Sequence, residues 1–239
     1  MKLIVHKAGS RGQASHGWLK SWHTFSFANY YNPNRMNFGV LRVLNDDIIQ
    51  EGMGFGTHPH DNMEIITIVL EGELEHHDSM GNGSVITPGE VQVMSAGTGI
   101  KHSEFNHSHE KEARLLQIWV FPDKQNVEPR YGQALFTDEE MTGKWCMVVS
   151  PDSAHNSLWI HQQAWFSIGT FSKGDVTEYK INKAGNGCYI FVISGAINMG
   201  EETLGARDGL GIEEVNNRLT IGIEDDSKIL IMEVPMNVR

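Results

Sequence analysis

Short runs of β-branched and aromatic residues, broken every few positions by turn formers, leave this chain little choice but sheet. Val40-Leu-Arg-Val-Leu44, Glu64-Ile-Ile-Thr-Ile-Val-Leu70, Leu115-Leu-Gln-Ile-Trp-Val-Phe121, Tyr189-Ile-Phe-Val-Ile193, Leu219-Thr-Ile-Gly-Ile223 and Ile229-Leu-Ile-Met-Glu-Val234 all have strand length. Few windows sustain an apolar period of three to four residues, and 25 glycines interrupt the chain. Met80-Gly-Asn-Gly83 reads as a turn between two strands. The pattern predicts an all-β chain of sandwich or barrel type.

The two halves read as degenerate copies. Ile68-Val-Leu-Glu-Gly72-Glu-Leu-Glu resembles Phe191-Val-Ile-Ser-Gly195-Ala-Ile-Asn, and Leu116-Gln-Ile-Trp-Val-Phe-Pro122 resembles Leu230-Ile-Met-Glu-Val-Pro235. Each half thus carries a strand–Gly–strand hairpin and a closing strand that ends at proline. Two similar β-barrels are expected, residues 1–137 and 138–239, with a junction near Thr137 to Lys144. The polar Asp138-Glu-Glu-Met-Thr-Gly143 within it is expected to form a short helix. Apolar side chains from Tyr189 to Ile193 and from Ile229 to Val234 are expected to fill the second barrel.

Composition excludes several classes. A formal net charge of −11 offers no basic patch to a phosphate backbone, so direct nucleic-acid binding is not expected. Two cysteines, Cys146 and Cys188, are too few for a secreted disulfide scaffold and lack zinc-finger spacing. Met1-Lys-Leu-Ile-Val-His-Lys7 has no apolar core of a signal peptide, and no run is long enough to span a bilayer. A soluble, cytoplasmic protein without membrane contact is the expectation. Protein partners stay open.

Chemistry concentrates between Gly52 and Asn106. Gly52-Met-Gly-Phe-Gly-Thr-His58-Pro-His60 opens this stretch, and Ser95-Ala-Gly-Thr-Gly-Ile-Lys-His102-Ser-Glu104-Phe-Asn106 closes it. Residues i and i+2 of a strand share a face, so His58 with His60, and His102 with Glu104, form two clamps. Side by side in a barrel, they would bring four ligands to one point. Imidazole plus carboxylate suits one divalent transition metal. Glycines 52, 54, 56, 97 and 99 would let the backbone pass close to the site. The second half has neither His-x-His nor His-x-Glu; its histidines, His155 and His161, precede the hairpin. The metal is therefore expected in the first half only.

Other histidines carry weaker signals. His107-Ser-His109 lies in a polar stretch and reads as a solvated loop. His76 and His77 are adjacent, so they face opposite sides of a strand, at least one toward solvent. His16 and His23 flank Trp18 and Trp22; structural hydrogen bonds are the expected role, with lining of the site mouth as the alternative. Glu64 is either a partner of a ligating histidine or simply the start of a strand.

The first half resembles the cupin pattern: Gly52, His58-x-His60, Glu64, then Gly72. Its second motif departs from it, with Ser95 where cupins usually carry proline and a longer spacing to His102. Thr57-His-Pro-His60-Asp-Asn-Met-Glu64 and Met94 to Asn106 resemble the pirin family. His16-Gly-Trp-Leu-Lys-Ser-Trp-His23-Thr-Phe-Ser-Phe27-Ala-Asn-Tyr30 resembles the opening of bacterial members. The resemblance runs strongly from about Lys7 to Pro122 and weakly beyond. It implies a bicupin with one metal, first of all Fe(2+), held by His58, His60, His102 and Glu104, with Glu64 outside the ligand set. Copper, nickel, manganese, cobalt and zinc are alternatives. Bacterial relatives are associated with quercetin 2,3-dioxygenase activity, eukaryotic ones with transcriptional co-regulation.

Three imidazoles and a carboxylate leave positions open for dioxygen, water or a chelating substrate. A flavonol has a hydroxyl beside a ketone, and Glu104 is the natural catalytic acceptor for the hydroxyl proton. The expected function is thus a metal-dependent dioxygenase that cleaves flavonols such as quercetin with dioxygen. A metal-binding regulatory or redox-sensing protein is the alternative, and an isomerase or hydrolase on the same scaffold the third.

Overall fold

Period-2 alternation and glycine turns produce strands along nearly the whole chain. The computed structural model describes residues 1–153 and 156–238. The first half contains β1 (Lys2–His6), β2 (Gly12–Ser15), β3 (Leu19–His23), β4 (Leu41–Ile49), β5 (Gly54–His60) and β6 (Glu64–Glu71). It continues with β7 (Leu74–Asp78), β8 (Gly83–Ile86), β9 (Glu90–Ser95), β10 (Ile100–Asn106), β11 (Ala113–Val120) and β12 (Arg130–Leu135). After the short helix α1 (Asp138–Met141) come β13 (Cys146–Ser150), β14 (Leu158–Trp159), β15 (Trp165–Phe171) and β16 (Val176–Lys180). The chain ends with β17 (Asn186–Met199), β18 (Glu202–Gly205), β19 (Gly209–Glu213) and β20 (Arg218–Pro235). Among the described residues no helix is long and apolar enough to cross a membrane.

The expected short helix forms, and its start has a clear cause. Thr137 accepts from the Glu140 amide while the Glu140 side chain accepts from the Thr137 amide, a complete capping box.

The architecture is all-β and two-barrelled, a bicupin. A seven-stranded sheet, β12-β9-β6-β11-β4-β3-β2, faces a four-stranded sheet, β5-β10-β7-β8. The second half forms the order β1-β19-β17-β20-β15-β13-β14, with β16 on β20 and β18 on β17. β1 crosses from the chain start to pair antiparallel with β19, Lys2 opposite Glu213.

The repeat survives in the register. Ile68 pairs with Leu116, and its counterpart Phe191 pairs with Leu230. The two hairpin glycines take the left-handed conformation that favours glycine, φ +74° at Gly72 and +83° at Gly195. A methyl group on Gly195 would lie 2.1 Å from the Asp226 carbonyl oxygen.

Packing corrects one expectation. Tyr189 to Ile193 and Ile229 to Val234 do not all fill the second barrel, because successive side chains leave a strand on opposite faces. Cys188, Ile190, Val192, Ile229 and Ile231 point into that barrel. Tyr189, Phe191, Ile193, Leu230, Met232 and Val234 point the other way. They meet Leu41, Leu44, Ile66, Ile68, Leu116 and Ile118 of the first half in one shared core. The seam between the barrels is therefore the largest apolar cluster of the molecule, and each buried aliphatic side chain there stabilises by about 1.5–3 kcal/mol. Leu230→Ala should cost about 2–5 kcal/mol, and urea unfolding should show both barrels weakened together. Separate transitions with only the second barrel affected would contradict the shared core.

Candidate metal centre

Two antiparallel neighbours assemble the cluster. β10 pairs with β5 so that His102 lies opposite His58 and Ile100 opposite His60. The register then shifts between His102 and Glu104. Along its other edge β10 pairs with β7, placing Glu104 opposite His76. Close approach depends on Gly54, where a methyl group would sit 2.2 Å from the Glu104 carbonyl oxygen.

The imidazoles of His58, His60 and His102 form a triangle with ring centroids 4.4, 4.9 and 4.9 Å apart. Each offers a nitrogen within 4.8 Å of the other two. His102, Glu104 and His76 make a second such group, so the two groups share His102. The fold brings the first three candidates together. Glu104 joins them in the same cavity but is grouped most tightly with His102 and His76. Among the described residues both groups lie in the first half.

The donor set fits a divalent cation. His102 is buried, yet neither ring nitrogen has a hydrogen-bond partner among the described residues. An imidazole left so in a protein interior is costly unless something ligates it. His58 Nδ1 lies 2.8 Å from the Gly56 carbonyl oxygen, which can only accept, so this nitrogen donates and Nε2 is the one left to ligate. Burial, and then the neighbouring histidines, lower His102 to a pKa of about 3. Burial, followed by His58, lowers His60 to about 4. Both rings are thus neutral at physiological pH, the state that binds metal.

Behind the cluster runs a polar belt that the sequence reading did not identify. Across the large sheet His23 pairs with Asn45, Asn45 with Gln117, Gln117 with Thr67 and Thr67 with Gln92. All five side chains are buried. Gln117 Nε2 donates to both Glu104 oxygens, at 3.2 and 3.0 Å, and its Oε1 accepts from Thr67. Burial raises the Glu104 pKa, and the Gln117 bonds oppose the rise. Gln117 was visible only as a single polar residue inside the apolar run Leu115 to Phe121.

The cluster opens into a cavity of about 170 Å³. Phe27, Phe55, Ile65 and Trp119 give it apolar walls, while Asn45, Asp47, Glu104 and Gln117 supply polar groups. Phe27 meets Trp119 edge-on at 5.3 Å, and Trp119 in turn meets His60 at 4.9 Å. His58 and His60 are half-buried whereas His102 and Glu104 are buried, so the mouth lies on the β5 side. A larger hollow of about 590 Å³ lies at the seam beside Phe121, Lys183 and Met236, away from these ligands.

The remaining candidates sort by face. His76 is fully buried beside His102, and His77 is exposed against Glu75, as adjacency in a strand requires. The sequence reading did not foresee that His76 would border the cluster, because that depends on which strand lies beside β10. His107 and His109 are exposed in a loop, as expected. His16 and His23 do not line the cavity; His23 packs edge-on against Phe27 at 5.2 Å and so supports its wall. Glu64 begins β6 and accepts from Ser95 Oγ at 2.7 Å and from the His161 backbone, outside the cavity. His161 belongs to no metal-type group among the described residues, and His155 lies outside them.

Residues 5–120 match the pirin family profile, and residues 147–234 match the quercetinase C-terminal cupin domain. Quercetin 2,3-dioxygenase of Escherichia coli (strain K12) is 45% identical over 233 residues, 98% of this chain and 99% of that protein. The chain belongs to the pirin family. A pirin-like protein of Caulobacter vibrioides is 40% identical over 92% of this chain and 94% of its own length. The crystal structure of the bacterial pirin YhhW from Escherichia coli in complex with nickel(II) superposes with a TM-score of 0.93. That pair shares 43% identity over 99% of this chain and 100% of the other.

Two outcomes are expected for this pirin. Metal analysis should find one equivalent of divalent transition metal per chain, largely lost in a His58→Ala/His102→Ala double variant. Full retention would remove both residues from the ligand set. In metal-free protein, NMR should show His60 and His102 titrating near pH 4 and pH 3. Midpoints near the ordinary value of about 6.5 would mean that these rings are solvated.

Proposed function

We propose that this protein is a metal-dependent dioxygenase that opens the central ring of flavonols such as quercetin. The observation that carries the reading is the combination in one cavity of three clustered imidazoles, a buried carboxylate and aromatic walls. The name of the Escherichia coli relative, quercetin 2,3-dioxygenase, supports the same chemistry.

His58, His60, His102 and Glu104 would hold the metal. A divalent ion there would act as a Lewis acid toward a chelating hydroxyl–ketone pair and allow dioxygen to react at the same centre. Fe(2+) is our first choice, and nickel is the ion named with the YhhW relative. Phe27 and Trp119 flank the cavity and would hold an aromatic ring by its faces and edges. Glu104 would take the hydroxyl proton on a carboxylate oxygen. Gln117 fixes the orientation of that carboxylate through both of its oxygens. Burial favours the protonated acid, so Glu104 is a stronger base than a solvated carboxylate. In the balanced reaction both atoms of dioxygen enter the organic product, and one ring carbon leaves as carbon monoxide.

Glu104→Gln keeps the shape and one oxygen donor but removes the charge. Turnover of quercetin per bound metal, followed by absorbance under air at matched occupancy, should fall by roughly two to four orders of magnitude. Equal turnover would take Glu104 out of proton transfer. No turnover by fully loaded wild type would sink the dioxygenase reading.

A further inference from the structure

One group in the cavity has no part in the chemistry so far. Asp47 is 3% exposed and lines the cavity together with Asn45. The two sit at i and i+2 of β4 and share its inward face. Asp47 lies between Ser21 on β3 and Leu115 on β11, in a row that continues to Val69. Ser21 is the one side chain that bonds its carboxyl among the described residues, and the nearest charges, Asp46 and Glu104, have the same sign. Among the described residues its Oδ1 has no partner, and neither has Asn45 Oδ1.

Two free acceptor oxygens buried beside aromatic walls are costly to maintain. An apolar residue at position 47 would pack against Leu115 and Val69 without that cost, so packing does not account for Asp47. Asp46, the next residue on the strand, makes the contrast. It faces outward and pairs with Arg11 at 3.1 Å and Arg207 at 3.7 Å. The inward carboxyl has no such cation among the described residues.

We propose that Asn45 and Asp47 form a hydroxyl-reading edge of the cavity. Their free oxygens accept hydrogen bonds from ring hydroxyls of a polyhydroxylated aromatic ligand whose chelating pair faces the histidines. This rests on the flavonol reading and adds a second anchor to it. Acceptors select donors: a ring that carries extra hydroxyls satisfies both oxygens, while a bare ring buries them unpaired. The pair is therefore a determinant of specificity rather than of metal binding.

The experiment compares metal-loaded wild type, Asp47→Leu and Asp47→Asn under anaerobic conditions. Two ligands are titrated by quenching of tryptophan fluorescence: quercetin, and 3-hydroxyflavone, which keeps the chelating pair and has no other hydroxyl. Metal content and Tm are measured on each sample. Wild type should prefer quercetin. Asp47→Leu should weaken quercetin roughly 10- to 100-fold, the range for losing a hydrogen bond to a charged group, and 3-hydroxyflavone less than about threefold. Its metal content should be unchanged and its Tm within a few degrees of wild type, since removing a buried carboxyl offsets the lost Ser21 bond. Asp47→Asn retains one acceptor and should show a smaller quercetin loss, which keeps the inference testable if the leucine variant fails to fold. Equal losses for both ligands, or none for either, would overturn the inference while leaving the dioxygenase reading in place. Binding of neither ligand by wild type would overturn both.

Discussion

The pairing of β5 with β10 is the constraint on which the rest of the site depends. One antiparallel register sets His58 opposite His102 and brings His60 to the same face. The shift that follows His102 adds a residue on β5, while β10 keeps its alternation, so Glu104 stays on the buried face of His102, opposite His76 and in reach of Gln117. A slip of β5 by one residue would send His58 and His60 to the opposite face. Gly54 permits the contact, because any side chain there would meet the backbone of β10.

That arrangement costs the first barrel part of its own core. Its interior holds two small apolar clusters, one around Ile65 and Met94 and one around Leu74 and Leu115. Between them runs the polar belt from His23 to Gln92, where neither side-chain polar atom of Gln92 finds a partner among the described residues. The missing apolar contacts are compensated at the seam. There the outward faces of β4, β6, β9 and β11 pack against β15, β17 and β20. The second barrel thus has an energetic role: it covers the sheet whose inner face has been given over to polar chemistry.

Electrostatics follows from the same burial. Desolvation keeps His60 and His102 neutral, so lone pairs are available without competition from protons near pH 7. It acts in the opposite sense on the carboxyls, raising Glu104 and taking Asp47 to about 7. Burial therefore prepares bases of both kinds, and a bound divalent cation would offset the carboxylate charge that burial penalises.

The sequence by itself determined the β class, the duplication, the capped helix near Asp138 and the two clamps at His58/His60 and His102/Glu104. Each is written in local periodicity or in i, i+2 spacing, which a strand must obey whatever surrounds it. The family was legible for the same reason, since its motifs are contiguous. Only the tertiary structure decided that Tyr189 and Leu230 serve the seam while Ile190 and Ile231 serve the second barrel. Alternation shows that the two sets differ, not which neighbour each set meets. Strand order likewise decided the places of His76, Gln117, Asn45 and Asp47, which come from β7, β11 and β4 and meet through pairings between residues far apart in the chain. A lone polar residue in an apolar strand marks a possible interior group. What it faces depends on the sheet on the other side of the barrel.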